Sequence, residues 1–134
     1  IGSDMRFGVQ ALQVSNRFPK VFPVTDSCML GLAGLATDIQ TVRDTVRYHV
    51  NMYRLQEERV IGPRQLANMV SALQYSKRFG PWFVEPVLAG IEQVKDAEGG
   101  ATALKPFICS MDSIGCINFA EDFVVSGTAS EQLY

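Results

Sequence analysis

The segment Cys28-Met29-Leu30-Gly31-Leu32-Ala33-Gly34-Leu35-Ala36-Thr37-Asp38 changes character within a few residues, and that change sets the fold class. From Cys28 to Leu35 it is almost wholly apolar and carries Gly31 and Gly34, as a buried strand does when another backbone packs closely against it. Thr37 followed by Gln40 has the form of a capping box, so a long helix is predicted from about Asp38 to Glu57. Ile39, Val42, Val46, Val50 and Tyr53 recur at helical spacing as one apolar seam, while Tyr48, Met52 and Leu55 form a second strip on a different face. One seam packs on a sheet. The second needs another partner.

Upstream, Met5 to Val14 alternates apolar and polar residues in the period of a half-buried strand. Phe18 to Val24 is extended, but Pro19 and Pro23 lack ladder donors, which makes it an edge strand or irregular. Downstream, Gly62-Pro63 opens a second helix with proline at its tolerated first position. Leu66, Met69, Val70 and Leu73 form its buried face up to about Lys77, and the two helices are expected as an antiparallel pair on one sheet face. Trp82 to Ile91 reads as a strand, with Pro86 pushing it toward an edge or bulge. Glu92 to Ala103 is acidic, glycine-containing and aperiodic, and reads as a solvent-exposed hairpin loop. Phe107–Met111 and Ile114–Phe119 are short strands about the turn Asp112-Ser113, Phe123–Ser126 is a last strand, and a helix begins near Ala129. Such a grouped order favours layered sheets with helices outside over a doubly wound parallel sheet.

The chain has 134 residues, 47% hydrophobic and 19% charged, with 12 basic and 14 acidic side chains giving a formal net charge of -2. That composition is of a globular domain, and it lacks the concentrated positive field that a nucleic-acid or anionic-membrane surface requires. No apolar run approaches the roughly 20 residues of a membrane-spanning helix. Cys28, Cys109 and Cys116 form neither CxxC nor a zinc spacing, which suits a reducing, intracellular setting. Ile1-Gly2-Ser3-Asp4 is no signal peptide, and both ends read as cut.

Nucleotide, zinc-protease and nucleophile-elbow motifs are absent. His49 is the single histidine, so no Ser-His or Cys-His mechanism can be completed within these residues. What remains is a set of polar residues at strand ends: Asp4, Arg6, Lys20, Asp112 and Ser126. Singly, each is explained as a turn or surface residue.

Their order along the chain adds to that. The segments SDMRFG from Ser3, KVF from Lys20, GLAGLATD from Gly31, KRFGP from Lys77, PVLAG from Pro86, KPFICSMDSIGC from Lys105 and DFVVSGT from Asp122 resemble the proteasome beta subunits, and among them a type without a processed threonine nucleophile. The resemblance covers the whole chain, the stretch Glu92–Ala103 being longer than the family pattern. It implies an α+β, N-terminal nucleophile hydrolase fold, a four-layer αββα sandwich of two antiparallel sheets. One domain is then expected over residues 1–134, lacking its first strand and its C-terminal helices and strands.

In active members the first residue of the mature chain is a threonine whose own amine accepts its proton. The resemblance matches Asp4, Arg6, Lys20 and the pair Ser126-Gly127 to that site, here as vestigial positions with no catalytic residue. The implied role is a structural subunit of the 20S core in ubiquitin- and ATP-dependent degradation, in cytoplasm and nucleus. Its partners would be beta-2 and beta-4 neighbours and the alpha ring, with no nucleic acid, membrane, metal or cofactor. The Asp112–Cys116 turn would wall the substrate pocket of the beta-2 neighbour, which cleaves after basic residues, unless Asp112 merely bonds amides in its own turn. Tyr48, Met52 and Leu55 would meet the alpha ring. Two alternatives stay open: a catalytic threonine protease subunit whose nucleophile lies upstream of Ile1, and a free-standing binding module.

Overall fold

A computed structural model describes residues 1–95, 100 and 102–134. In chain order the elements are β1 (Phe7–Val9), β2 (Leu12–Ser15), β3 (Val21–Thr25), β4 (Cys28–Gly34), α1 (Ala36–Glu57), α2 (Pro63–Tyr75), β5 (Val84–Lys95), β6 (Thr102–Met111), β7 (Ile117–Ala120) and α3 (Ser130–Leu133). β1 and β2 form a two-stranded sheet. The other strands form an antiparallel sheet of order β3-β4-β5-β6-β7. Two antiparallel sheets with helices give an α+β architecture, consistent with the N-terminal nucleophile hydrolase sandwich.

Both long helices cover one face of the larger sheet. Alternation along β4, β5 and β6 sends Cys28, Leu30, Leu32, Val84, Leu88, Phe107, Cys109 and Met111 toward Ile39, Val42, Val46 and Val50 of α1 and Leu66, Ala67 and Val70 of α2. Each such aliphatic side chain contributes about 1.5–3 kcal/mol when fully buried. α1 starts at the Gly34 end of the sheet and α2 starts at the opposite end, where Pro63 lies against Gly90, so the pair is antiparallel as expected.

Five expectations change. The capping box does not form: α1 begins one residue before Thr37, with Leu35 as N-cap and no side-chain cap. Gly34 makes the strand-to-helix turn at φ 143°, and a Cβ there would collide with the Phe83 carbonyl that accepts the Leu35 N–H at 2.8 Å. Backbone pairing thus starts the helix. The Met5–Val14 strand is a hairpin instead, because Gln10 takes a left-handed φ of 52° and reverses the chain, leaving Val9, Leu12 and Val14 exposed.

β5 is the central strand, despite Pro86. Its pairing with β6 ends at Val87↔Ser110. Phe83 and Ile91 bond toward the β4 side, at Leu35 and Ser27, so the alternate residue Pro86 directs its missing donor to the side that β6 has already left. Within the stretch read as a loop, Glu92–Lys95 and Thr102–Ala103 are paired strand and Gly100 is an exposed bend; its other residues, 96–99 and 101, lie outside the described ones. Phe123–Ser126 forms no strand; it meets β5 through a side chain, Ser126 Oγ donating to the Glu85 carbonyl at 3.1 Å. The edge position of β3 and the helix after Ala129 are as predicted.

Candidate functional site

The residues singled out from sequence fall into three groups. In the first, Lys20 leads into edge strand β3, and its carbonyl accepts the Leu32 N–H at 2.8 Å, which fixes it beside β4. Its Nζ donates to both carboxylate oxygens of Asp4 at 3.0 Å. The Arg6 N–H reaches the same carboxylate at 3.1 Å. These donors hold the Asp4 carboxyl below its ordinary value, the Lys20 hydrogen bond foremost, against the opposing effect of burial. The Arg6 guanidinium turns away, donating to the Gln10 carbonyl at 2.6 Å and pinning the β1–β2 hairpin. Arg6 is therefore a turn residue here.

The second group surrounds an open cleft of about 300 Å³ lined by Glu85, Ser110, Met111, Asp112, Cys116, Asn118, Val125 and Ser126. Glu85, Ser110 and Asn118 lie on the sheet face opposite the helices, as their alternation with Val84, Cys109 and Met111 requires. Asp112 Oδ1 accepts the N–H groups of Ile114 at 3.1 Å and Cys116 at 2.8 Å, closing an Asx turn. Asp112 Oδ2 has no hydrogen-bond partner among the described residues. Ser71 of α2 donates to the Gly115 carbonyl and moors the turn to the helix layer. The lining thus carries two carboxylates, three neutral polar side chains and a thiol, and no basic group. It suits a cationic side chain.

Lys20 and Asp4 do not line this cleft, whereas Ser126 does. Gly127 approaches Ala33, the neighbour of the residue that bonds Lys20, so the two groups flank the same end of β4. Glu85, Ser110, Asn118 and the mooring Ser71 were not singled out from sequence. The period-two alternation of β5 and β6 holds the signal for the first two; Ser71 has none, because its partner is 44 residues away.

The third group is the outer strip of α1, where Tyr48, Met52 and Leu55 are exposed. His49 Nδ1 lies 2.9 Å from the Thr45 carbonyl, an intrahelical contact. Cys28 and Cys109 are buried and Cys116 is exposed. Burial pushes the Cys109 thiol up to about 11, so it is inert packing. Among the described residues, no His/Cys/Asp/Glu group suits a metal ion and no helix is long and apolar enough to cross a membrane.

Comparison with known proteins gives the family. The family model described as "Proteasome subunit" matches residues 1–134. A protein of Schizosaccharomyces pombe named "Probable proteasome subunit beta type-3" is 54% identical over all of this chain and 61% of its own length. "Proteasome subunit beta type-3" of Saccharomyces cerevisiae is 48% identical, again over the whole chain and 61% of that protein. The Drosophila melanogaster protein of the same name is 46% identical, with 62% of its length covered. The chain therefore spans about three-fifths of the length of the curated relatives it matches.

Proposed function

Because the chain belongs to the proteasome subunit family, we propose that it works as a non-catalytic, structural beta-ring subunit of the 20S core particle. The match to beta type-3 proteins over the whole chain, at 46–54% identity, carries this reading. It would support ubiquitin- and ATP-dependent protein degradation in cytoplasm and nucleus, seated between beta-2 and beta-4 neighbours and beneath the alpha ring. Residues 1–134 would be one part of a longer beta-subunit domain. Lys20 and Asp4 then serve as a surface ion pair that holds the N-terminal segment to β3, and Ser126 as a tie to β5.

Two surfaces give the role its contacts. The strip Tyr48, Met52 and Leu55 faces away from the sheet and is suited to the alpha ring. The acidic cleft is suited to completing a beta-2 pocket for basic side chains, with Asp112 Oδ2 as the charge on offer. Asp112→Asn keeps an amide acceptor in the turn and removes the charge. In assembled particles it should lower cleavage after basic residues while assembly stays normal; unchanged cleavage would leave Asp112 a turn residue only.

The intact Lys20–Asp4 pair is the one observation that favours the catalytic alternative, since a threonine nucleophile needs such a lysine nearby. The experiment that decides uses the full-length native protein. N-terminal sequencing and labelling with a threonine-directed peptide epoxyketone should find it inside particles and unlabelled. A labelled chain beginning with threonine would establish the catalytic reading.

A further inference from the structure

The segment KRFGPWF, residues 77–83, joins α2 to β5 and serves neither the cleft nor the α1 strip. Phe79 is 97% exposed, with Tyr75 and Phe83 exposed beside it. The backbone that presents them is nonetheless fixed. Ser76, Lys77, Arg78 and Gly80 donate their N–H groups to Ala72, Gln74, Tyr75 and Lys77 at 3.0–3.1 Å. At the far end the Phe83 N–H reaches Asp38 Oδ2 at 3.0 Å, and the buried Gln74 Nε2 reaches the Val84 carbonyl at 3.1 Å.

On this frame the Arg78 guanidinium lies 5.6 Å from the Tyr75 ring centroid and 5.5 Å from that of Phe79. Its Nη1 donates to the Tyr75 hydroxyl at 3.1 Å. Lys77 Nζ stands 5.2 Å from the Trp82 ring centroid. Neither cation has a carboxylate partner among the described residues. A guanidinium held against aromatic rings, with one N–H given to Tyr75, keeps its other donors for a planar, two-oxygen acceptor. Arginine and tyrosine on a rigid support are what interface hot spots are made of, because little side-chain freedom remains to be lost on contact. Two cations on a chain of net charge -2 are too few for a polyanion surface.

We infer that the Tyr75–Arg78–Phe79 corner is a preformed docking point for an acidic segment of an adjoining subunit, a carboxylate meeting Arg78 and an apolar neighbour packing on Phe79. This rests on the subunit reading above. The test places Phe79→p-benzoylphenylalanine in the full-length protein, assembles and purifies the particles, and maps the photo-cross-link by mass spectrometry. A cross-link within an Asp- or Glu-bearing stretch of one adjoining subunit is expected. Cross-links only to substrate polypeptide or to a second copy of this chain, to a stretch without acids, or to nothing overturn the inference.

In parallel, Arg78→Glu competes with the wild-type chain for incorporation, and a loss of about tenfold is expected for a hot-spot charge reversal. Equal entry of both chains overturns the inference alone. A wild-type chain that stays outside particles overturns the subunit reading and the inference with it.

Discussion

The two faces of the large sheet use the same strands for opposite purposes. Along β4 and β5, Leu30, Leu32, Val84 and Leu88 disappear beneath the helices, while Met29, Ala33, Val87 and Ala89 between them are only half-buried. The helix face is a continuous hydrocarbon core, whereas the opposite face carries the open cleft with Glu85, Ser110 and Asn118. One residue of register separates packing from chemistry, because successive strand side chains point to opposite faces. Between the two faces of the sheet, the packing that stabilises the fold therefore sits on one and the polar cleft on the other.

The sharpest way to break that contrast is to truncate neighbours on β5. Leu88 is fully buried, and Leu88→Ala should lower unfolding stability by about 2–5 kcal/mol through lost transfer energy and the cavity left behind. Val87→Ala, one residue away on the other face, should cost well under half as much. Urea unfolding of the two variants compares them directly. Equal losses would mean that the opposite face is packed as tightly as the helix face.

The next effect tests how the cleft is tied to the core. Gly115 has a φ of 90°, and a Cβ there would stand 2.4 Å from the Ser71 carbonyl. Gly115→Ala should cost about 1–3 kcal/mol in backbone strain and push the Asp112 turn off α2. Faster amide exchange at Ile114 and Cys116 would report that movement. Protection equal to wild type would show that the turn holds without its mooring.

Legibility from sequence follows the same division. Both long helices and the buried strand Cys28–Gly34 could be read because their apolar spacing repeats over many residues and one face decides their fate. The hairpin at Gln10, the start of α1 and the central place of Pro86 could not, since each depends on a partner distant in sequence or on a single left-handed residue. In the site, the Asx turn at Asp112 was one of two readings and is present, yet its oxygen left unbonded keeps the other alive. Lys20 and Asp4 match the family's site singly and only through resemblance, and nothing local in sixteen residues of separation announces that they form an ion pair.

A smaller effect separates the two roles of Asp112. Asp112→Ala removes an acceptor from two N–H groups and should cost about 1–2 kcal/mol, while Asp112→Asn should recover most of it by accepting the same hydrogen bonds. Thermal unfolding of the pair checks this. A similar loss in both would assign the stabilisation to the charge instead of the turn.

The smallest effect belongs to the other acid. Asp4 is 65% exposed and Lys20 20% exposed at the side chain, so solvent screens the pair and Asp4→Asn should cost no more than about 1 kcal/mol at pH 7. Its pH dependence is more telling than its size. The Asp4 carboxyl lies below its ordinary value of 3.8 when folded, mainly through Lys20, so the folded state binds that proton more weakly than the unfolded chain. The contribution is then fully present above pH 3.8 and is lost as the pH falls through the depressed value. Wild type and Asp4→Asn should differ in urea midpoint at pH 7 in low salt and converge below that window, and added salt should narrow the gap at pH 7. A difference that persists in acid would place the benefit of Asp4 in its backbone contact with Arg6, which an asparagine oxygen reproduces imperfectly, and not in the ion pair.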